Sequence, residues 1–135
     1  MAFLPYKVDG SNRPQSLEYL PAGAITPKVG MVLRLDTSTG YLAVCADSDN
    51  PPKYISMTER SAALTAGDVI PVLRIDPDMV FETTFSASAT SRKAGEKVTI
   101  SDGVQATATT TKGVCEIVKI FGTGASGDKV LVRLM

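Results

Sequence analysis

Apolar and polar residues alternate along most of the chain, and this alternation limits the fold more than any other feature of the sequence. In its first clear segment, Met31, Leu33 and Leu35 occupy every second position after Gly30. A period of two is the period of a β-strand, whereas a helix facing a core repeats every 3.6 residues. Turn-forming residues interrupt the alternation repeatedly, so the pattern predicts short strands joined by tight connections.

The positions of the turn residues predict the order of the strands. We expect hairpins formed by residues 31–36 with 41–46, 69–75 with 79–85, and 97–101 with 104–110, then strands at 114–121 and 129–135. Asp102-Gly103 is the strongest turn signal, because both central residues of a type I′ turn need positive φ. Residues 53–57 are a further short strand, and 58–65 are predicted to hold one helical turn capped by Thr58. Pro71 indicates an edge position or a bulge in its strand.

These patterns predict an all-β protein: a small antiparallel β-barrel or sandwich built from hairpins, with an extended N-terminal arm. The arm is residues 1–29 and the β-domain is residues 30–135. The arm holds four of the eight prolines and has no sustained periodicity, which excludes a regular helix. Its apolar side chains are candidate anchors for a protein surface. They are Phe3, Tyr6, Leu17, Tyr19 and Leu20.

Composition argues against several classes of function. Fourteen basic residues balance fourteen acidic residues, and the chain has no histidine. A zero net charge disfavours a nucleic-acid partner or a polybasic membrane-binding protein. The sequence has no apolar run long enough for a membrane span and no signal-peptide core near its start, so we expect synthesis in the cytoplasm. Without histidine the commonest general base and neutral metal ligand are missing.

Several acidic turns resemble sites with chemistry, but each is better explained by turn formation. Asp36 precedes Gly40 by four residues, whereas the loop of an aspartic protease needs a spacing of two. A calcium loop would need a following glycine and a distal glutamate, and the candidate acidic loop has neither. We therefore predict no catalytic residue and no metal site. The other acidic candidates are Asp47, Asp49 and Asn50 in one loop, and Asp76 and Asp78 in another.

Two further motifs resemble functional sites. Gly122, Gly124 and Gly127 form a run like a nucleotide-binding fingerprint, but a strand and not a helix is predicted to follow it. Cys45 and Cys115 lie in apolar stretches, which favours buried free thiols over a disulfide, and no histidine is present to activate either as a nucleophile. We expect no cofactor and no enzymatic activity.

The chain resembles the decoration, or cement, proteins of tailed-bacteriophage capsids. The resemblance rests on the N-terminal arm and on residues 66–70, 94–96 and 130–134, and it covers most of the chain without one diagnostic motif. It implies a structural virion protein on the outer capsid surface that bridges neighbouring capsid subunits. The implied partners are the major capsid protein and other copies of the chain, as a homotrimer, with the arm lying on the capsid or on a neighbouring protomer. The alternative is a non-enzymatic β-sandwich binding module or another virion component, such as a head-fibre base or a tail protein.

Overall fold

A computed structural model describes residues 3–8 and 17–135, with residues 4–8 as backbone only. These residues contain strands and turns and no helix, which confirms the predicted all-β class. The strands are β1 (Leu4–Val8), β2 (Leu17–Pro21), β3 (Val32–Leu35), β4 (Leu42–Val44), β5 (Tyr54–Ser56), β6 (Val69–Arg74), β7 (Met79–Thr84), β8 (Lys97–Val98), β9 (Ile100–Ser101), β10 (Gln105–Ala106), β11 (Cys115–Ile120) and β12 (Lys129–Leu134).

The described strands form two five-stranded antiparallel sheets and a separate hairpin. Sheet A has the order β1-β7-β12-β11-β8, and sheet B has the order β2-β6-β5-β3-β4. The hairpin consists of β9 and β10. The edge strands of sheet B, β2 and β4, meet only through one isolated bridge between Ala22 and Leu42, so the architecture is sandwich-like and not a closed barrel.

The main hydrophobic core is shared by the two sheets. Sheet B contributes Val32, Ile55 and Leu73, and sheet A contributes residues such as Phe81 and Val132, all of them buried. A second, smaller core lies on the other face of sheet B. Sheet B is therefore covered by apolar groups on both faces over most of its area.

Two predicted hairpins are confirmed. β3 pairs with β4, and β9 pairs with β10 across a turn in which Asp102 and Gly103 have φ of 52° and 75°. The Val104 amide closes that turn by donating to the Ser101 carbonyl at 3.0 Å. The hairpin tip then docks on sheet B, because the Val32 amide donates to the carbonyl of Gly103 at 2.8 Å.

The hairpin predicted between residues 69–75 and 79–85 is wrong. β6 pairs with β2 and β5 in sheet B, whereas β7 pairs with β1 and β12 in sheet A. The turn at residues 76–78 carries the chain from one sheet to the other. Leu73 and Met79, on either side of it, are both buried in the shared core. The connection between the two sheets therefore buries apolar side chains of both β6 and β7. A hairpin would show the same alternation of apolar and polar residues, so the sequence pattern does not distinguish the two arrangements.

The helical turn predicted at residues 58–65 is also wrong. This segment is irregular, and two of its amides bond to a distant part of the chain. The Arg60 amide donates to the Pro27 carbonyl at 3.0 Å, and the Leu64 amide donates to the Ile25 carbonyl at 2.8 Å. These non-local partners replace the local bonds that a helical turn would have made.

The N-terminal segment is extended, but its described parts pair with both sheets of its own chain. β1 forms one edge of sheet A, and β2 forms one edge of sheet B. Phe3, which precedes β1, is fully buried in the main core, and its amide donates to the Gly30 carbonyl at 2.9 Å. Residues 3–8 and 17–21 thus complete the sandwich. Residues 1–2 and 9–16 of the predicted arm lie outside the described residues.

Candidate protein-interaction surface

The acidic turns hold their own loops in place. The Asp36 carboxylate accepts hydrogen bonds from the Ser38 amide at 2.9 Å and the Ser38 hydroxyl at 2.7 Å. These bonds hold the pKa of Asp36 below its ordinary value. The Asp76 carboxylate accepts the Asp78 amide at 2.9 Å in the same manner. Both contacts are the local side-chain turns that favour aspartate in loops.

The acidic loop at residues 47–50 is closed by an ion pair. The Asp47 carboxylate accepts the Asp49 amide at 3.0 Å, and the Asp49 carboxylate lies 2.6 Å from the Lys112 ammonium. The bond to Asp49 raises the pKa of Lys112. Among residues 3–8 and 17–135, no group of three metal-ligating histidine, cysteine, aspartate or glutamate residues is present.

The glycine-rich run forms a cradle of backbone amides that a carboxylate of the same chain fills. Asp128 Oδ2 accepts the amides of Thr123, Gly124 and Ala125 at 3.2, 3.2 and 3.0 Å. Amides converging in this way make an anion-binding site when they are vacant. β12 begins directly after Asp128, so the strand predicted after this run is confirmed.

The two cysteines are free and buried, as predicted. The Cys45 thiol donates to the Asn50 carbonyl at 3.2 Å, and burial, helped by nearby Asp47, raises the pKa of Cys45 to about 12. Burial also raises the pKa of Cys115 well above its ordinary value. A nucleophilic cysteine needs thiolate character, and these environments oppose it.

The five predicted anchors fall into three groups. Phe3 is a core residue, so its side chain is not available to a partner. Leu17 and Tyr19 are 48% and 66% exposed on β2, while Leu20, on the opposite face of that strand, packs against the second core. The side chain of Tyr6 lies outside the described residues.

Leu17 and Tyr19 belong to a larger apolar surface at the open end of sheet B. Directly opposed residues of an antiparallel pair share a face, and the register places Tyr19 opposite Pro71. The same register places Pro21 opposite Val69, which is 56% exposed. On the other side of Pro71, the amide of Met57 donates to its carbonyl at 3.0 Å, which brings Met57 into the same row.

We call this surface the open face: Leu17, Tyr19, Pro21, Met57, Val69 and Pro71. The open face lies on the same side of sheet B as Leu73 and Ile55, which are buried in the main core. It occupies the part of that side that no other part of the described chain buries. Four of its side chains are exposed, namely Leu17, Tyr19, Met57 and Val69, and exposed apolar residues that adjoin one another on a surface are typical of interaction sites.

The sequence did not reveal Met57, Val69 and Pro71 as members of this surface. Each belongs to a different local segment from Leu17 and Tyr19, and only the pairing of β2 with β6 brings them together. The sequence predicts an edge position or a bulge at Pro71. The edge position is wrong, because β6 lies between β2 and β5 in sheet B. A proline is tolerated at position 71 because the pairing with β5 ends at Ser56 and Val72, so no ladder hydrogen bond requires an N–H group there.

The open face adjoins a free backbone edge. Among the described strands, β2 pairs along its length with β6 only, and at its end it meets β4, because Ala22 forms a parallel bridge with Leu42 and the Gly23 amide donates to the Leu42 carbonyl at 2.9 Å. The Ala22 amide donates to the Asp68 carbonyl across this pair at 2.8 Å, so the even-numbered residues direct their backbone groups towards β6. The backbone groups of Leu17 and Tyr19 therefore point away from β6 at the edge of the sheet, whereas the end of β2 at Pro21 lies against Leu42 of β4. Apolar side chains and unpaired main-chain groups on one strand are suited to the addition of another strand.

No protein-family model matches the chain, and no curated protein matches it. Within the part of the chain that the structure describes, no helix is long and apolar enough to cross a membrane.

Proposed function

We propose that the protein is a structural virion protein that decorates the outer surface of a phage capsid and stabilises the shell by bridging neighbouring capsid subunits. The observation that carries this proposal is the open face beside the free edge of β2. Leu17 and Tyr19, two of the arm residues expected to contact a partner, lie on it. The resemblance to decoration proteins adds the kind of partner, which is the major capsid protein.

The geometry supports a physical account of attachment. An extended segment of the capsid protein would pair with the outward main-chain groups of β2 and place alternate apolar side chains against Leu17 and Tyr19. A surface of six apolar residues gives a modest affinity at one site. Many copies on a repeating shell, linked within an oligomer such as the homotrimer that the resemblance implies, bind more tightly through multivalency. No catalytic step is needed for this role.

The test is binding to capsids of the phage whose genome encodes the chain. Capsids lacking the protein are mixed with it, sedimented and imaged by cryo-EM, and we expect added density on the outer surface. Tyr19→Ala should reduce the amount that co-sediments by at least roughly tenfold, since central aromatic anchors dominate interfaces. Thr39→Ala, in the exposed turn between β3 and β4, is the matched control. Bare capsids at saturating protein would contradict the proposal and favour another binding module or virion component.

A further inference from the structure

We infer that a proline and a bulge close the outer edge of β1 to strand addition, which keeps sheet A from pairing edge to edge with a second copy of this chain. Among the described strands, β1 is the five-residue edge of sheet A, and the opposite edge strand, β8, has only two residues. Long edges with vacant N–H and C=O groups are templates for another strand, and proteins block them with proline and bulges. The inference concerns the free protein. Only its consequence, that a capsid segment is directed to β2, rests on the proposed function.

The backbone groups of Pro5 point away from β7. On the far side of β7, the Phe85 amide donates to the carbonyl of Asp128, next to β12, at 3.0 Å. Odd-numbered residues of β7 therefore direct their backbone groups towards β12, and even-numbered residues direct theirs towards β1. Glu82, an even-numbered residue, is paired with Leu4. The residue after Leu4, which is Pro5, consequently faces outward.

A hydrogen bond to another part of the chain supports the same direction. Phe3 lies two residues before Pro5, so its backbone groups point to the same side of the strand. Its amide donates to the carbonyl of Gly30, which belongs to no strand of sheet A, at 2.9 Å. The Phe3 amide is therefore already used, and Pro5 has no N–H to donate. Among the described residues 3–5, no N–H group is left vacant on the outer edge of β1.

The pairing of β1 is irregular directly after this proline. Pro5 opposes Phe81 and Lys7 opposes Val80, so Tyr6 is an extra residue in β1. A bulge of this kind bends the strand and breaks the alternation of outward groups, so a straight strand cannot follow the edge past it. Proline and a bulge are two separate ways of blocking a sheet edge, and here they occupy adjacent positions.

The edge of β2 has neither of these features over residues 17–19. Leu17 and Tyr19 have amides that point away from β6, and the pairing with β6 is continuous from Leu17 to Pro21. The N-terminal segment thus supplies one edge strand to each sheet, but with opposite properties. Strand addition is confined to sheet B, and sheet A is kept out of it.

Self-association measures whether Pro5 blocks the edge. Two copies paired antiparallel about position 5 would need the central residues to exchange two N–H···O bonds, and proline can donate neither. Pro5→Val restores both donors, and two such bonds should tighten self-association at least roughly tenfold over the wild-type chain. Pro5→Ala restores the N–H groups with a smaller side chain and should act in the same direction. Pro5→Val combined with deletion of Tyr6 also removes the bulge and should associate most tightly.

Analytical ultracentrifugation from about 1 to 500 µM compares these variants with the wild-type chain. Pro51→Val, in the exposed loop at residues 47–52, is the matched control and should sediment like the wild-type chain. Circular dichroism verifies that each variant is folded. If the three β1 variants sediment like the wild-type chain, the proline and the bulge do not close this edge and the inference is overturned.

Hydrogen exchange tests the direction of the edge in the Pro5→Val variant. The amide introduced at position 5 should exchange rapidly at about 5 µM and at least roughly tenfold more slowly at about 500 µM, where a second copy covers it. The Lys7 amide, which faces β7, is the internal reference and should be protected at both concentrations. Protection of the position 5 amide at the low concentration would show that it is bonded within its own chain. That result would overturn the inference whatever the capsid experiment shows.

Discussion

Replacing Phe3 with alanine tests whether the N-terminal segment belongs to the fold. The Phe3 side chain is fully buried in the core shared by the two sheets. Removing a buried phenylalanine ring costs about 3–5 kcal/mol, out of a total free energy of unfolding of about 5–15 kcal/mol. With a urea dependence of about 2 kcal/mol per molar for a domain of this size, the unfolding midpoint should fall by roughly 2 M.

Leu17→Ala is the matched control for this prediction. Leu17 also lies in the N-terminal segment, but it is 48% exposed, so its truncation should cost about 1 kcal/mol or less. Urea unfolding followed by circular dichroism at 25 °C measures both variants. If Phe3→Ala costs no more than Leu17→Ala, the N-terminal segment does not contribute to the core and the reasoning fails.

Three further variants or conditions test other parts of the fold. Asp128→Ala should lower the free energy of unfolding by about 1–3 kcal/mol, because three amides lose their acceptor; Asp78→Ala, an exposed aspartate of another turn, is its control, and equal losses would contradict the prediction. Gly103→Ala should cost about 1–3 kcal/mol in the same assay, since φ is 75° and a Cβ would lie 2.9 Å from two side-chain carbons; unchanged stability would show that the hairpin tip does not dock there. Cys45 and Cys115 should react with a thiol reagent at pH 8 only after unfolding, and rapid reaction of the folded protein would contradict their burial. Because the folded pKa of Cys45 is raised to about 12, its contribution to stability should be complete below about pH 8.5 and decline as pH rises from there towards 12.

Local sequence signals predicted those features that depend on neighbouring residues. The β3–β4 hairpin and the Asp102-Gly103 turn form as expected, because their positive-φ positions are set within a few residues. The burial of Cys45 and Cys115 followed from their apolar surroundings. The false hairpin between β6 and β7 shows the limit of such signals, since alternation and turn residues are the same whether the next strand joins the same sheet or the facing one.

The candidate surface could be predicted only in part for the same reason. Leu17 and Tyr19 stood out as apolar residues in a proline-rich segment, but so did Phe3, which the fold buries completely. No local feature of the sequence distinguishes the buried Phe3 from the exposed Leu17 and Tyr19. The exposure of each side chain depends on which distant parts of the chain pack over it.

By itself, the sequence determined that this chain forms short antiparallel strands, with neutral overall charge and two buried thiols. Only the tertiary structure decided that the N-terminal segment supplies an edge strand to each sheet and that β2 leaves one apolar face open. The physical reason is that a period of two specifies the two faces of a strand but not its partner or register. The partner and the register of a strand depend on contacts between distant residues. The open face exists because β2 pairs with β6 in a part of sheet B that the main core does not cover.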